Sequence, residues 1–146
     1  MSKIDRLVAE RVMGWKWIQV AVRGGEGKIK TIVPPTDWEG CEPAEESTPL
    51  ASDWDRAGGL VRHKFSTDIA AAWEVESTLY GRKLFIVLER DPPCEHFECV
   101  FVDYCRGYDK YKLPARVWHK SAPMAICLAA LRAVGVPESE IQEAMR

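Results

Sequence analysis

Residues 122–135, Ala-Pro-Met-Ala-Ile-Cys-Leu-Ala-Ala-Leu-Arg-Ala-Val-Gly, constrain the fold more than any other part of the chain. Pro123 suits the first turn of a helix and Gly135 suits its C-terminal stop. Between them Arg132 is the only charge, so the helix is apolar nearly all round and must be enclosed on several sides. A chain of 146 residues can supply that enclosure as one domain, without disulfides or a structural metal. The apolar run Ala122 to Leu131 is about half of the ~20 residues a membrane span requires, so protein rather than lipid is expected to cover it.

The rest of the chain supplies the cover. Ile4, Leu7, Val8 and Val12 recur at helical spacing, Ser2 and Asp5 make a capping box, and Gly14 ends the helix. From Trp17 to Arg23 the period changes to two, with Ile18, Val20 and Val22 on one face and Trp17, Gln19 and Arg23 on the other. Lys28 to Val33 alternates similarly, which gives a β-hairpin around Gly24-Gly25-Glu26-Gly27. Residues 34–58 read as a long irregular insertion, extending to about 64, with five acidic residues between Asp37 and Glu46.

A second alanine-rich helix follows, opening at Ser66 or Thr67 with Asp68 in its first turn. Its buried side is expected to be Ile69, Ala72, Trp73, Leu79 and Tyr80, with Gly81 as its end. Leu84-Phe-Ile-Val-Leu88 is a continuous apolar run, the pattern of a central strand covered on both faces. Asp91-Pro92-Pro93 turns the chain into a partner strand at Cys99 to Tyr104. Arg116 to His119 forms a short strand before the apolar helix, and Pro137, Glu138 and Glu140 open a last one. Antiparallel strands with helices on both faces give an α+β domain over residues 1–146, a three-layer α/β/α sandwich with a mainly antiparallel central sheet.

Phe65-Ser-Thr-Asp-Ile-Ala-Ala-Ala-Trp-Glu-Val75 and Ala122 to Gly135 together resemble the signature of the phage ABA sandwich domain, a family of small bacteriophage proteins. The resemblance is strongest over residues 4–18, 65–80 and 116–136. It implies the same sandwich architecture and a phage or prophage protein acting in the host bacterial cytoplasm, in a group whose function is poorly defined.

A formal net charge of −2 gives no global attraction to nucleic acid or anionic lipid. The N-terminal Met-Ser-Lys-Ile-Asp-Arg lacks a signal-peptide apolar core, so a cytoplasmic location is expected. Five cysteines in such a chain read as reduced thiols. Cys94-Glu-His-Phe-Glu-Cys99 offers soft ligands without the paired spacing of a zinc site, so no metal is expected. Val22 to Lys28 resembles a phosphate-binding loop but has Val22 and Ile29 where that motif needs glycine and Ser or Thr, and it joins two strands. His63, His96 and His119 lack the framework of partner and oxyanion donors that acid/base or nucleophilic catalysis requires.

Six tryptophans are many for this length. Indole rings beside Arg or Lys can stack a planar base and hold a phosphate, and a helix start can hold polar ligand groups. The ligand-contacting set is therefore Trp15, Trp17, Arg23, Lys28, Trp54, Arg56, Arg62, Ser66, Thr67 and His119. The function expected is non-enzymatic binding, most concretely a sponge that sequesters a small nucleotide-type host immune signal. A protein-interaction module that inhibits a host protein, docking through Asp37 to Glu46, is the alternative. A nucleotide-processing enzyme with His119 or His63 as base is a third reading. No cofactor, membrane or nucleic-acid partner is expected; a homodimer formed through the Trp17 to Val33 hairpin is.

Overall fold

The computed structural model describes residues 2–22, 24–50, 64–103 and 116–146. Helix α1 spans Lys3–Arg11. The Ser2 hydroxyl accepts the Asp5 amide at 3.1 Å while the Asp5 carboxylate accepts the Ser2 amide, closing the expected capping box. Ile4, Leu7, Val8 and Val12 are buried, the stripe expected from their spacing, and Ala9 is buried beside them.

Strands β1 (Lys16–Ala21) and β2 (Lys28–Val33) form the antiparallel hairpin, in register from Lys16 opposite Val33 to Ala21 opposite Lys28. Gly24 and Gly27 have φ of +78° and +113° in the turn, a backbone that side chains with a Cβ resist. The following segment is more regular than its composition suggests. It makes a 3₁₀ turn at Pro35–Asp37 and a two-residue strand, β3 (Glu42–Pro43), which pairs antiparallel with Ile18 and Gln19 of β1. The sheet order is therefore β2-β1-β3.

Helix α2 spans Ile69–Tyr80. Its N-cap is Asp68, whose carboxylate accepts the Ala70 amide at 2.9 Å, so the expected start at Ser66 or Thr67 is corrected by one to two residues. Lys64 takes the amides of Thr67 and Asp68 on its carbonyl, which uses residues 64–68 as a turn before the helix. The buried face is also corrected. Ala71, Ala72, Val75 and Leu79 point inward, whereas Ile69, Trp73 and Tyr80 are exposed, Tyr80 by 58%.

Strands β4 (Leu84–Asp91), β5 (His96–Asp103) and β6 (Val117–His119) form a second antiparallel sheet in the order β4-β5-β6. The α+β class and antiparallel pairing hold, with the described strands divided between two three-stranded sheets where one central sheet was expected. β5 rather than β4 is the central strand of its sheet, because the returning chain places β6 on the far side of β5. Cys99, Phe101 and Val117 turn inward, with Leu84, Ile86, Leu88 and Phe97 packed beside them.

Helix α3 (Ala122–Ala133) lies at the centre. It packs on α2, β5, β6, α1 and α4 (Glu138–Met145), and every residue from Ala125 to Leu131 is buried. The all-round apolar sequence of α3 is thus matched by neighbours on several sides. No helix among the described residues is long and apolar enough to cross a membrane.

Candidate functional site

Of the segments singled out from sequence, the hairpin with the acidic stretch behind it is the most fully built. Ala44 donates its amide to the Trp17 carbonyl at 3.1 Å, and Lys30 donates its amide to the Pro49 carbonyl at 2.8 Å. Between these two points the buried Thr48 hydroxyl donates to Gln19 Oε1 at 3.1 Å. Upstream, Trp38 Nε1 donates to the Val33 carbonyl at 3.2 Å, and the Lys16 ammonium sits 3.8 Å from the Trp38 ring centroid. Residues 38–50 are therefore fastened to both strands of the hairpin rather than strung out from them.

The ribbon that results carries Asp37, Glu39, Glu42, Glu45 and Glu46, all exposed. Of these five, Glu42 is the one that makes an ion pair among the described residues, with Lys28 Nζ at 2.6 Å. Hydrogen bonds from Lys28 and then Gln19 hold the Glu42 carboxyl below its ordinary range. Lys30 Nζ is turned to the Glu46 carbonyl at 3.0 Å and leaves that residue's carboxylate outward. The chemistry on offer is a row of carboxylates on a rigid support, suited to meeting Arg and Lys side chains.

The proposed ligand residues that the structure describes each have partners of their own. Trp15 is 8% exposed and meets Phe65 edge-on with ring centroids 5.7 Å apart. Trp17 is half-buried, its Nε1 donates to Glu10, and the Arg6 guanidinium lies 5.6 Å from its ring centroid. Lys28 is taken by Glu42. Ser66 is buried and gives its amide to Asp5 Oδ1 at 2.7 Å, with its hydroxyl 3.4 Å from that of Ser2; Thr67 is exposed. His119 Nδ1 lies 2.9 Å from the Ser121 amide and 3.3 Å from the Ser121 carbonyl. Arg23, Trp54, Arg56 and Arg62 lie outside the described residues, as do His63 and Cys105.

The other sequence motifs resolve locally. The glycine-rich turn connects β1 to β2, with Val22 donating to the Gly27 carbonyl at 3.1 Å, so no helix follows to complete a phosphate-binding loop. Cys94 is exposed in the β4–β5 turn while Cys99 points into the core, where burial pushes its thiol up to about 12. Burial raises the Cys127 thiol as well. Among the described residues no cluster of three or more His, Cys, Asp or Glu is placed to hold a metal ion.

Among the described residues two depressions are of note. A groove of about 370 Å³ between α1 and the α3–α4 junction is lined by Arg11, Val134 to Pro137 and Glu140, and the Arg11–Glu140 ion pair at 3.0 Å lies in it. A dimple of about 30 Å³, room for a water, lies on the second sheet beside the Arg116–Glu98 pair.

The signature segments 65–75 and 122–135 thus frame α2 and α3, which pack against each other. The profile of the phage ABA sandwich domain matches residues 6–131. The chain belongs to the phage ABA sandwich domain family. Membership covers α1 through most of α3 and identifies the packed frame of this phage-type protein, including the segment that bears the acidic ribbon. No curated protein and no solved structure matches the chain.

Sequence reasoning missed one set of surface residues. Trp73, Tyr80 and Trp118 are exposed by 43%, 58% and 59%. The signal was present in α2: Ala72, Val75 and Leu79 already form a complete inward stripe at i, i+3 and i+7, which leaves Ile69, Trp73 and Tyr80 displaced round the helix.

Proposed function

We propose that this phage ABA sandwich protein is a non-enzymatic protein-binding module that docks its acidic ribbon, Asp37 to Glu46, on a basic surface of a host protein. The observation that supports this reading is the fastening of residues 38–50 to β1 and β2, with the five acidic residues from Asp37 to Glu46 exposed and Glu42 alone of them ion-paired. A fixed row of charge loses little conformational entropy on association and raises the rate of encounter with an opposite charge. Inhibition would follow if the covered basic surface were one the host protein uses.

Affinity capture from bacterial lysate tests it, comparing the native chain with a variant carrying Asp37→Asn, Glu39→Gln, Glu45→Gln and Glu46→Gln. A captured protein should be lost from the variant and weaken steeply as salt rises. Capture that is unchanged by the four substitutions, or absent at every salt concentration, would overturn the reading.

Sequestration of a small nucleotide-type immune signal is the second reading, favoured by the guanidinium of Arg6 on the face of Trp17. An indole beside a guanidinium is a pairing that can take a planar base and its phosphate. A thermal-shift panel of cyclic nucleotides and cyclic ADP-ribose isomers, with mass spectrometry of small molecules released on denaturation, separates the two readings. Silence in both measurements removes sequestration.

A further inference from the structure

Gln19 is polar, only 7% exposed, and lies on the central strand of the β2-β1-β3 sheet, directly opposite Lys30 on one side and Glu42 on the other. Residues opposite one another in antiparallel strands share a face, so these three side chains form one row across the sheet. A buried primary amide has both donors and an acceptor to satisfy. The Glu42 carboxylate can only accept, so it takes the NH2 end, and Gln19 Oε1 receives the Thr48 hydroxyl at 3.1 Å. One side chain thus holds the acidic ribbon at Glu42 and again at Thr48.

The backbone by itself holds this stretch weakly. β3 has two residues, and Pro43 has no N–H to donate. Beyond Ala44, whose amide goes to Trp17, the chain turns through Glu45-Glu46-Ser47-Thr48, closed by the Thr48 amide on the Glu45 carbonyl at 3.1 Å. Among the described residues, the next backbone bond between ribbon and hairpin is Lys30 to Pro49. The turn that carries the Glu45 and Glu46 carboxylates is therefore tied to the hairpin by side chains, Gln19 on Thr48 and Lys30 Nζ on the Glu46 carbonyl.

We propose that Gln19 is the positioning residue of the acidic ribbon: its amide sets where the Glu45–Glu46 turn stands, and Glu42 serves that arrangement rather than the docking surface. The inference rests on the reading of the ribbon as a surface that docks on a basic protein. Glu42 is engaged by Lys28 Nζ at 2.6 Å as well as by Gln19, so its charge is already met within the chain. Asp37, Glu39, Glu45 and Glu46 are the exposed carboxylates that remain for a partner's Arg and Lys, and Gln19 governs the last two without touching the partner. Leucine at position 19 would leave the Thr48 hydroxyl without its acceptor and Glu42 without its donor, while every carboxylate of the ribbon is kept.

Amide hydrogen exchange of the full chain tests the positioning role. In Gln19→Leu the Ala44 and Thr48 amides should exchange about tenfold faster, while amides paired between β1 and β2 stay within about threefold of native and report that the variant is folded. Gln19→Glu sets two carboxylates opposite each other and should loosen the ribbon at least as much. Adding Glu42→Gln to it exchanges donor and acceptor and should bring both amides back to within about threefold of native, a recovery that general loss of packing would not give. Docking is measured beside it, by calorimetry at low salt with a helical peptide bearing arginine at every fourth position, a rigid row of cations. Gln19→Leu should weaken that binding about fivefold, and the double variant should bind within about twofold of native. Unchanged protection in Gln19→Leu, a double variant no better protected than Gln19→Glu, or equally tight peptide binding by Gln19→Leu overturns the proposal. A native chain that ignores the peptide counts against the docking reading alone, and exchange then decides the role of Gln19.

Discussion

At the residue scale, Asp5 does more than its place in a capping box suggests. Besides the amide and hydroxyl of Ser2, its carboxylate takes the amide of Ser66, 61 positions along the chain, at 2.7 Å. One side chain thereby fixes both the start of α1 and the turn that leads into α2. Asp5→Ala should cost about 2–3 kcal/mol in urea unfolding, because the Ser66 amide would be left buried without its acceptor. Ser2→Ala, which removes the cap hydroxyl and its 3.4 Å contact with the Ser66 hydroxyl but keeps the Asp5–Ser66 bond, should cost about 1 kcal/mol. Thr31 presents the opposite case: it is fully buried in β2 and its hydroxyl has no hydrogen-bond partner among the described residues. Thr31→Val keeps the shape and removes the stranded hydroxyl, so it should raise stability by about 1 kcal/mol in the same assay. The Ser2–Asp5 pairing was legible in the sequence because it spans three residues. The Ser66 contact was not, since nothing local distinguishes a carboxylate that caps one helix from one that also holds a distant turn.

At the element scale, α3 and α4 are joined by Arg132, whose Nε and Nη2 donate to the two carboxylate oxygens of Glu138 at 2.9 and 2.8 Å. These bonds, with a further one from Gln142, hold the Glu138 carboxyl at about 2, below its ordinary 4.5. A carboxyl depressed on folding contributes stability above its unfolded value and loses it as pH falls through the folded one. Acid unfolding followed between pH 4.5 and about 2 should therefore be shallower in Glu138→Gln than in the native chain. The difference should shrink in high salt, since the pair is partly exposed. Elements themselves were read well from periodicity: α1, the β1–β2 hairpin, β5, β6 and α3 fall within one to three residues of expectation. Faces were read less well. A helix apolar on most sides, such as α2, does not announce which apolar side chains remain outside, and Trp73 was placed in the core because large aromatics usually go there.

At the scale of the whole molecule, stability rests on α3, which touches three helices and one sheet and has no face left for solvent between Ala125 and Leu131. Its alanines are spacers that set how closely those neighbours approach. Ala130→Leu, at a fully buried position, should therefore destabilise by about 1–3 kcal/mol through overpacking, and calorimetry should show a lower Tm with the same cooperative transition. A polar-to-polar exchange on the acidic ribbon, such as Glu45→Gln, should leave Tm within about 1 °C, because an exposed side chain away from caps and buried partners contributes little. The sequence alone determined the class of the fold, the family, the order of elements and the buried centre. The family follows from the likeness of segments 65–75 and 122–135 to its signature; the rest follows from hydrophobic period and capping chemistry, which act over a few residues. Tertiary structure decided what lies far apart along the chain: that the described strands divide into two sheets, that the acidic stretch is laced to the hairpin, and that β5 rather than β4 lies between two described strands. Those outcomes depend on which surfaces meet after collapse, and a period of two or 3.6 residues carries no record of the partner.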